Sequence, residues 1–288
     1  RQMCIRDRSG TGISGRVTKA DIMAVVGGAS PAPAPVAAVP AAAPAAAAPA
    51  ASHAPVFKGA GDEVVPMSVM RKKIAEHMIF SKRTSAHVHS VFEVNFTRID
   101  QIRKARKAEF ERNGAKLTFM SFITKAVCEA LKAVPVMNAS IDGDTVVYHR
   151  DANVGIAVAL DWGLIVPVIK KADEKNLLGL SRSIADLAAR ARAKQLKPDE
   201  VSGGTFTITN PGVFGALFGM PIISQPQVAI LGIGHVEKRP VVIDDAIAIR
   251  SMAYLTIGYD HRIIDGAVAD EFMSHVKKTL ENWDPQAI

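Results

Sequence analysis

An alanine- and proline-rich run, residues 29–62, divides the chain into two parts. Its densest stretch reads SPAPAPVAAVPAAAPAAAAPAASHAP, and residues 22–57 contain no Asp, Glu, Lys or Arg. Because proline fixes φ and lacks a backbone N–H, the run can neither form a continuous helix nor cross a membrane as one. Alanine offers little surface to bury, so we predict a disordered, extended linker, with a disordered tail as the alternative.

The segment before the linker, residues 9–28, reads SGTGISGRVTKADIMAVVGG. Thr18 can cap a short helix that begins at Lys19 and ends at the glycine pair 27–28. The preceding G-x-G-x-x-G is a weak dinucleotide signal, because a strand and a βαβ unit would have to accompany it. The segment is too short to hold its own core, so we predict that it belongs to a larger unit. Residues 1–8, RQMCIRDR, show no apolar periodicity and are interpreted as non-native sequence.

Residues 63–288 have the patterns of one folded α/β domain. Apolar residues at helical spacing predict helices within 64–84, 98–113, 118–134, 181–196 and 266–283. Alternating or continuous apolar runs predict strands within 87–96, 203–210, 227–243 and 252–261, a hairpin at 139–149 and two strands within 153–169. Helices and strands do not alternate regularly as in a doubly wound fold, so the pattern indicates a mixed sheet.

Composition and charge argue against several classes of protein. The chain carries 35 Lys and Arg against 28 Asp and Glu, a net charge of +7. The charges are scattered, which indicates a solvated basic surface rather than a nucleic-acid interface. Cys4 and Cys128 lie far apart without a C-x-x-C, so neither a disulfide framework nor a zinc site is predicted. We expect no metal, no nucleic acid and no membrane among the partners.

His261 stands between a predicted strand and a predicted helix that starts at Gly266. An imidazole with an ordinary pKa of about 6.5 suits proton transfer near neutral pH. Asp265 could orient the imidazole or hold the turn by pairing with a cation. Three interpretations stay open: a structural histidine, a His–Asp metal pair with no evident third ligand, and a general base. No Gly-x-Ser-x-Gly elbow occurs, so a base here would act on a nucleophile that arrives with the substrate.

Three threonines alternate along the predicted strand GGTFTITN: Thr205, Thr207 and Thr209. Hydroxyls in such a row are commonly solvated face residues. Thr209, however, ends the strand beside the glycine-rich loop NPGVFGALFG. There its hydroxyl could instead donate a hydrogen bond to a developing oxyanion.

Five stretches, RKKIAEHM, GLIVPVI, GGTFTITNPGVFG, PQVAILGIG and DHRIIDG, occur in that order within residues 63–288. Together they resemble the catalytic domain of dihydrolipoamide acyltransferases, the core components of 2-oxo acid dehydrogenase complexes. The resemblance implies a mixed-sheet, chloramphenicol-acetyltransferase-like α/β fold. Residues 9–28 resemble part of the family's peripheral-subunit-binding domain, a small helical unit, and the linker resembles its swinging arms.

The resemblance also implies roles for individual residues. His261 would take the proton from the thiol of coenzyme A as it attacks an acyl thioester on a dihydrolipoyl arm, and Thr209 would stabilise the oxyanion. Asp265 matches the family aspartate that holds the histidine loop by pairing with an arginine, for which Arg103 is the candidate. Gly266 completes this supporting structure. Arg16 matches a basic loop residue that binds partner enzymes.

The same resemblance implies partners and substrates. The lipoyl group would be carried covalently on a lipoyl domain that this sequence lacks, and coenzyme A would be a substrate. The partners would be a 2-oxo acid decarboxylase and a dihydrolipoyl dehydrogenase, around homotrimers that assemble into a cage. The location would be the bacterial cytoplasm, or the mitochondrial matrix in a eukaryote. Details of the motifs favour succinyl transfer. Acetyl or branched-chain acyl transfer, a free-standing acetyltransferase and a non-catalytic scaffold are the alternatives.

Overall fold

The computed structural model describes residues 11–12, 16–26, 56–161 and 163–286. The chain forms two compact units, Arg1–Val64 and Val65–Ile288. Residues 1–8 and most of the predicted linker lie outside the described residues, so the interpretations placed on them stay predictions. No helix in the described ranges is long and apolar enough to cross a membrane.

The first unit contains one described helix, α1 (Lys19–Val26), which confirms the predicted helix start. Thr18 and Asp21 bond to each other at its N-terminus: the Thr18 N–H donates to Asp21 Oδ2 at 2.7 Å, and the Asp21 N–H approaches Thr18 Oγ1 at 3.4 Å. Hydrogen bonds from Thr18 and Thr11 hold the pKa of Asp21 well below its ordinary value. Whether this unit is a subunit-binding domain stays a prediction.

The described part of the second unit has five α-helices: α2 (Val69–Thr84), α3 (Thr97–Arg112), α4 (Phe119–Ala133), α5 (Leu177–Arg192) and α6 (Gly266–Glu281). Each falls on a predicted helix, although α5 begins four residues earlier than predicted. Asn176 explains that early start, because its side chain accepts the N–H of Gly179 at 2.8 Å and caps the first turn. Ser68 caps α2 in the same way, through the N–H of Arg71.

The second unit also has eleven described strands. They are β1 (His87–Asn95), β2 (Ala139–Asp142), β3 (Thr145–Tyr148), β4 (Val154–Ile156), β5 (Val158–Leu160), β6 (Gly163–Ile165), β7 (Val168–Ile169), β8 (Phe206–Thr209), β9 (Ala229–Ile233), β10 (Glu237–Ile243) and β11 (Ala246–Asp260). The main sheet has the order β1-β11-β9-β8-β4-β7, with β10 also paired to β11. β8 runs parallel to β4 and β9, whereas the other pairs are antiparallel. The predicted mixed-sheet α/β fold is therefore confirmed.

Two predicted runs of strand are divided in the structure. Residues 153–169 form four short strands, because β4 and β7 join the main sheet while β5 and β6 pair only with each other in a separate ribbon. Residues 227–243 form β9 and β10 with a break at Gly234. A Cβ built on Gly234 would lie 2.0 Å from the carbonyl oxygen of Leu217, so the crossing segment allows only glycine there. A contact between segments that are distant in sequence does not change the local spacing of apolar residues, so this spacing could not predict the break.

The hydrophobic core lies between the sheet and helices α3, α4, α5 and α6. Its largest fully buried side chains include Phe96, Phe122, Phe206 and Phe272. The rings of Phe206 on β8 and Phe272 on α6 lie 5.6 Å apart, and thereby join the final helix to the centre of the sheet. Cys128 on α4 is 1% exposed, and burial raises the pKa of its thiol to about 12.

Replacing Phe272 with alanine is expected to destabilise this core strongly. Because Phe272 is fully buried against Phe206, we expect Phe272→Ala to lower the free energy of unfolding by about 3–5 kcal/mol. Tyr148→Ala is the control, since Tyr148 is 59% exposed and its loss should cost less than about 1 kcal/mol. Denaturant unfolding of both variants measures the difference. Equal losses would contradict the assigned packing of α6.

Candidate active site

His261 occupies the short loop between β11 and α6. Its backbone N–H donates to the carbonyl oxygen of Ala86 at 2.8 Å, which ties the loop to the segment that leads into β1. The imidazole is exposed, and its centroid lies 5.9 Å from the ring of Tyr259. Among the described residues no group forms a hydrogen bond with its ring nitrogens. The backbone of His261 is thus held in place while its imidazole stays accessible. A purely structural role would not explain an exposed ring without hydrogen bonds.

The two neighbours of His261 form an ion pair that the sequence analysis did not single out. Asp260 is fully buried and accepts hydrogen bonds from Arg262 Nη2 at 2.7 Å and from Arg262 Nε at 3.0 Å. Burial by itself would raise the pKa of Asp260, but hydrogen bonds from Arg262 and Ser85 outweigh it and lower that pKa. The sequence feature that could have indicated this ion pair is the tripeptide Asp-His-Arg, in which an acidic and a basic residue flank the histidine.

Asp265 is the N-cap residue of α6, in extended backbone geometry. Its side chain is exposed and makes no capping hydrogen bond. No ion pair of Asp265 occurs with any residue that the structure describes. Gly266 begins the helix, and a Cβ added there would meet Tyr259 Oη at 3.6 Å, an ordinary contact. The position therefore does not by itself demand glycine.

Arg103 lies on α3 and does not form the predicted pair with Asp265. Its Nη2 donates to Asp100 Oδ1 at 2.8 Å, one helical turn away, and its guanidinium lies 4.8 Å from the centroid of the Phe119 ring. The i,i+3 spacing on the same helix places Asp100 within reach without any tertiary contact. In the described chain, Arg103 thus supports α3 against α4 rather than the histidine loop.

Thr209 ends β8 and is half-buried. The other two threonines of the row are buried within the chain: Thr207 Oγ1 donates to Gln227 Oε1 at 2.7 Å, and Thr205 Oγ1 accepts the N–H of Asn153 at 3.0 Å. The expectation of a solvated threonine face is therefore wrong for Thr205 and Thr207. Only Thr209 stands where the strand opens into the glycine-rich loop.

The strand register places Thr209 and His261 at opposite edges of the sheet. Thr209 pairs with Gly232 of β9, and Gly232 pairs with Thr256 of β11. His261 follows Thr256 by five residues, which corresponds to about 17 Å along the strand. Because β11 is antiparallel to β9, it ends where β8 and β9 begin, whereas Thr209 lies where β8 ends. One chain alone cannot bring these two side chains to the same carbonyl group.

An open polar cavity of about 540 Å³ lies at the His261 edge of the sheet. Its lining includes the residues just before three parallel strands, Asn153 before β4, Thr205 before β8 and Gln227 before β9. This is also the edge at which β11 ends. None of its lining residues belongs to the loop that carries His261, and the described residues contain no cluster of three potential metal ligands.

Arg16 lies in the first unit, just before α1. Its side chain is exposed, and its carbonyl oxygen accepts the N–H of Gly12 at 2.9 Å. This bond joins the backbone of Gly12 to that of Arg16 and leaves the guanidinium accessible. Its assignment to partner binding stays a prediction.

Comparison with known proteins defines the class of this fold and site. The family model for the 2-oxoacid dehydrogenases acyltransferase (catalytic domain) matches residues 59–287. The chain therefore belongs to this family, and the resemblance noted in the sequence is confirmed.

Individual relatives are similar over most of the chain. The dihydrolipoyllysine-residue succinyltransferase component of the 2-oxoglutarate dehydrogenase complex of Pseudomonas aeruginosa is 44% identical over 279 residues, which are 95% of this chain and 66% of the relative. The chain thus spans just under two thirds of this relative's length. A probable dihydrolipoamide acetyltransferase from Listeria monocytogenes has a TM-score of 0.76 and 42% identity, covering 78% of this chain and 96% of that one. The cubic core of a pyruvate dehydrogenase multienzyme complex has a TM-score of 0.75 and 33% identity, and the match covers 80% of this chain and 98% of that one.

Proposed function

We propose that this chain transfers an acyl group from a dihydrolipoyl arm to coenzyme A, as the core of a 2-oxo acid dehydrogenase complex. The observation that carries the proposal is the accessible imidazole of His261, held by its backbone at a sheet edge in a chain of this family. No nucleophile of the protein is required, because the thiol of coenzyme A attacks directly.

The chemistry at His261 follows from the acidity of the thiol. By analogy with cysteine, the thiol of coenzyme A has a pKa of about 8.5 and is mostly protonated at pH 7. The neutral imidazole takes this proton while the sulfur attacks the thioester carbonyl. The carbon–sulfur bond to the dihydrolipoyl arm then breaks, and the imidazolium returns the proton to the departing thiolate. A hydroxyl donor at the oxyanion lowers the energy of the tetrahedral intermediate.

Thr209 is the proposed oxyanion donor, and it must come from a second chain. The opposite positions of Thr209 and His261 in one sheet support a site between subunits, with His261 from one subunit and Thr209 from its neighbour. A homotrimer provides three such sites in a closed ring. One structural relative is the cubic core of a multienzyme complex, which supports further assembly of trimers into a cage.

The remaining partners supply and regenerate the arm. A 2-oxo acid decarboxylase loads the lipoyl group, and a dihydrolipoyl dehydrogenase reoxidises it. The exposed guanidinium of Arg16 suits contact with an acidic face of one of these enzymes. The 540 Å³ cavity at the His261 edge is large enough for a lipoyl or pantetheine arm.

Succinyl is the proposed acyl group. The similarity to the Pseudomonas aeruginosa succinyltransferase component supports it, while the two structural relatives come from acetyl-transferring or pyruvate systems. We expect kcat/KM for S-succinyldihydrolipoamide to exceed that for the acetyl and isobutyryl donors by about tenfold or more. The measurement is formation of acyl-coenzyme A by the full chain with each donor. An equal or reversed preference would contradict the succinyl assignment and leave the transferase assignment standing.

The same assay separates the alternatives from other classes. A free-standing acetyltransferase would accept chloramphenicol rather than dihydrolipoamide as the acyl partner. A non-catalytic scaffold would fold and assemble but transfer no acyl group from any donor. The first result would refute the dihydrolipoyl arm as acyl partner, and the second would refute catalysis altogether.

A further inference from the structure

We propose that Asp260 and Arg262 are positioning residues that hold His261 in place for proton transfer. This role rests on the proposed function, because it concerns proton transfer by His261. The proposed function itself does not depend on the ion pair. Neither residue is proposed to touch the substrate. They act through the backbone on either side of the histidine.

The carboxylate of Asp260 has an unusual environment for a residue next to an exposed loop. It is completely buried, and a buried charge is costly unless it is paired and hydrogen-bonded. Its partner is two residues away: Arg262 Nε and Nη2 approach it at 3.0 and 2.7 Å, and the Arg262 N–H donates to Oδ1 at 3.1 Å. These bonds close a ring that contains the backbone of His261.

The same carboxylate connects this ring to the start of β1. The N–H of Ala86 donates to Asp260 Oδ1 at 3.2 Å, and the carbonyl oxygen of Ala86 accepts the N–H of His261 at 2.8 Å. One residue outside the loop is therefore bonded both to His261 and to the side chain before it. The N–H of Asp260 itself donates to the carbonyl oxygen of Val228 at 2.9 Å, which ties the loop to the segment before β9.

A second connection leads towards the polar cavity. Ser85 contributes to the lowered pKa of Asp260, and its hydroxyl accepts a hydrogen bond from the side-chain amide of Gln225. Gln225 lines the 540 Å³ cavity. Ser85 therefore lies between the ion pair and the wall of the space in which we place the substrate arm.

His261 depends on these backbone contacts because its ring has no hydrogen-bond partner among the described residues and only the Tyr259 ring beside it. The direction of the imidazole is then set by the position of its Cα and by the turn that contains it. A displacement of about 1 Å at a reacting group can lower the rate about 10²-fold. Loosening the Asp260–Arg262 pair should therefore affect the chemical step more than substrate binding.

The test replaces Asp260 with asparagine in the full chain and measures acyl transfer from S-succinyldihydrolipoamide to coenzyme A. We expect kcat to fall by about 10- to 100-fold while KM for both substrates stays within about threefold. Asp173→Asn is the matched control, since Asp173 also accepts a backbone N–H, from Ala152 at 3.1 Å, and pairs with Lys132 at 3.3 Å. This control should lower the melting temperature and leave kcat within about twofold.

Variants at Arg262 test the pair from its other side and keep the buried carboxylate. Arg262→Gln removes the charge and should reproduce the loss in kcat. Arg262→Lys keeps the positive charge and should retain more of the wild-type kcat than Arg262→Gln does. If Asp260→Asn does not fold, these two variants decide the question, because Arg262 is partly exposed and its replacement leaves Asp260 bonded to Ala86.

Each outcome has one meaning. A folded wild-type chain without transferase activity refutes the proposed function and the inference with it. An active wild type whose Asp260→Asn and Arg262→Gln variants keep kcat within about threefold overturns the inference alone. The inference alone is also overturned if Asp173→Asn lowers kcat as much as Asp260→Asn does. It is overturned likewise if the Asp260 and Arg262 variants change only KM.

Discussion

Replacing His261 with alanine is expected to lower acyl transfer to coenzyme A by about 10³-fold, the middle of the range for a general base. The imidazole is accessible and fixed by its backbone, and the thiol it would deprotonate is mostly protonated at pH 7. The measurement is kcat/KM for acyl-coenzyme A formation at pH 7. Because the ring of His261 is exposed and has no hydrogen-bond partner within the described chain, its removal should leave the melting temperature nearly unchanged.

His275→Ala is the control for this experiment. His275 is also exposed and lies on α6, the helix that follows the His261 loop, but it has no assigned role. Its loss should leave kcat/KM within about twofold. A His261→Ala variant that keeps more than about a tenth of wild-type activity would show that another group takes the proton.

Co-assembly of two inactive variants is expected to restore activity. His261→Ala chains lack the base, and Thr209→Ala chains lack the oxyanion donor, a loss of about 10²- to 10³-fold. If each site takes His261 from one subunit and Thr209 from its neighbour, random mixing in a closed ring leaves about one site in four with both residues. Every trimer that contains both variants has one complete site in three, so mixed trimers purified on both tags should reach about a third of wild-type kcat per chain.

Co-expression of the two variants with different affinity tags, followed by purification on both tags, provides the mixed oligomers. Oligomers that carry both tags but only one variant are the control and should stay inactive. Mixed oligomers as inactive as their parents would place both residues in a site within one chain. That result would contradict the conclusion drawn from the strand register.

The elements of the fold could be predicted from sequence where local periodicity decides them. Helix α4 has nine buried residues at helical spacing, and the α2 cap at Ser68 is a local signal. The division of residues 153–169 and 227–243 into separate strands could not be predicted, because it depends on which distant segment pairs or crosses there. Gly234 shows this, since its need for glycine arises from Leu217, seventeen positions away in sequence.

The candidate site could be proposed from the sequence in its parts and not in its arrangement. His261 and Thr209 were proposed because each stands at the end of a strand beside a turn. Their separation within one chain depends on the β8-β9-β11 register, which no local pattern encodes. Asp260 was missed because an acid beside His and Arg suggests a solvated surface, whereas the fold buries it completely. Arg103 was assigned a distant partner although Asp100 lies one turn away.

The burial of Cys128 bears on how the protein would tolerate the substrates proposed for it. Coenzyme A is a free thiol, and an oxidised lipoyl group is a cyclic disulfide, so either could exchange with a reactive cysteine. Exchange requires a thiolate that the reagent can reach. Burial raises the pKa of the Cys128 thiol to about 12, so the thiol stays protonated at pH 7, and the residue is 1% exposed. Under the proposed function, this burial would protect the described domain against becoming trapped as a mixed disulfide during thiol and thioester chemistry.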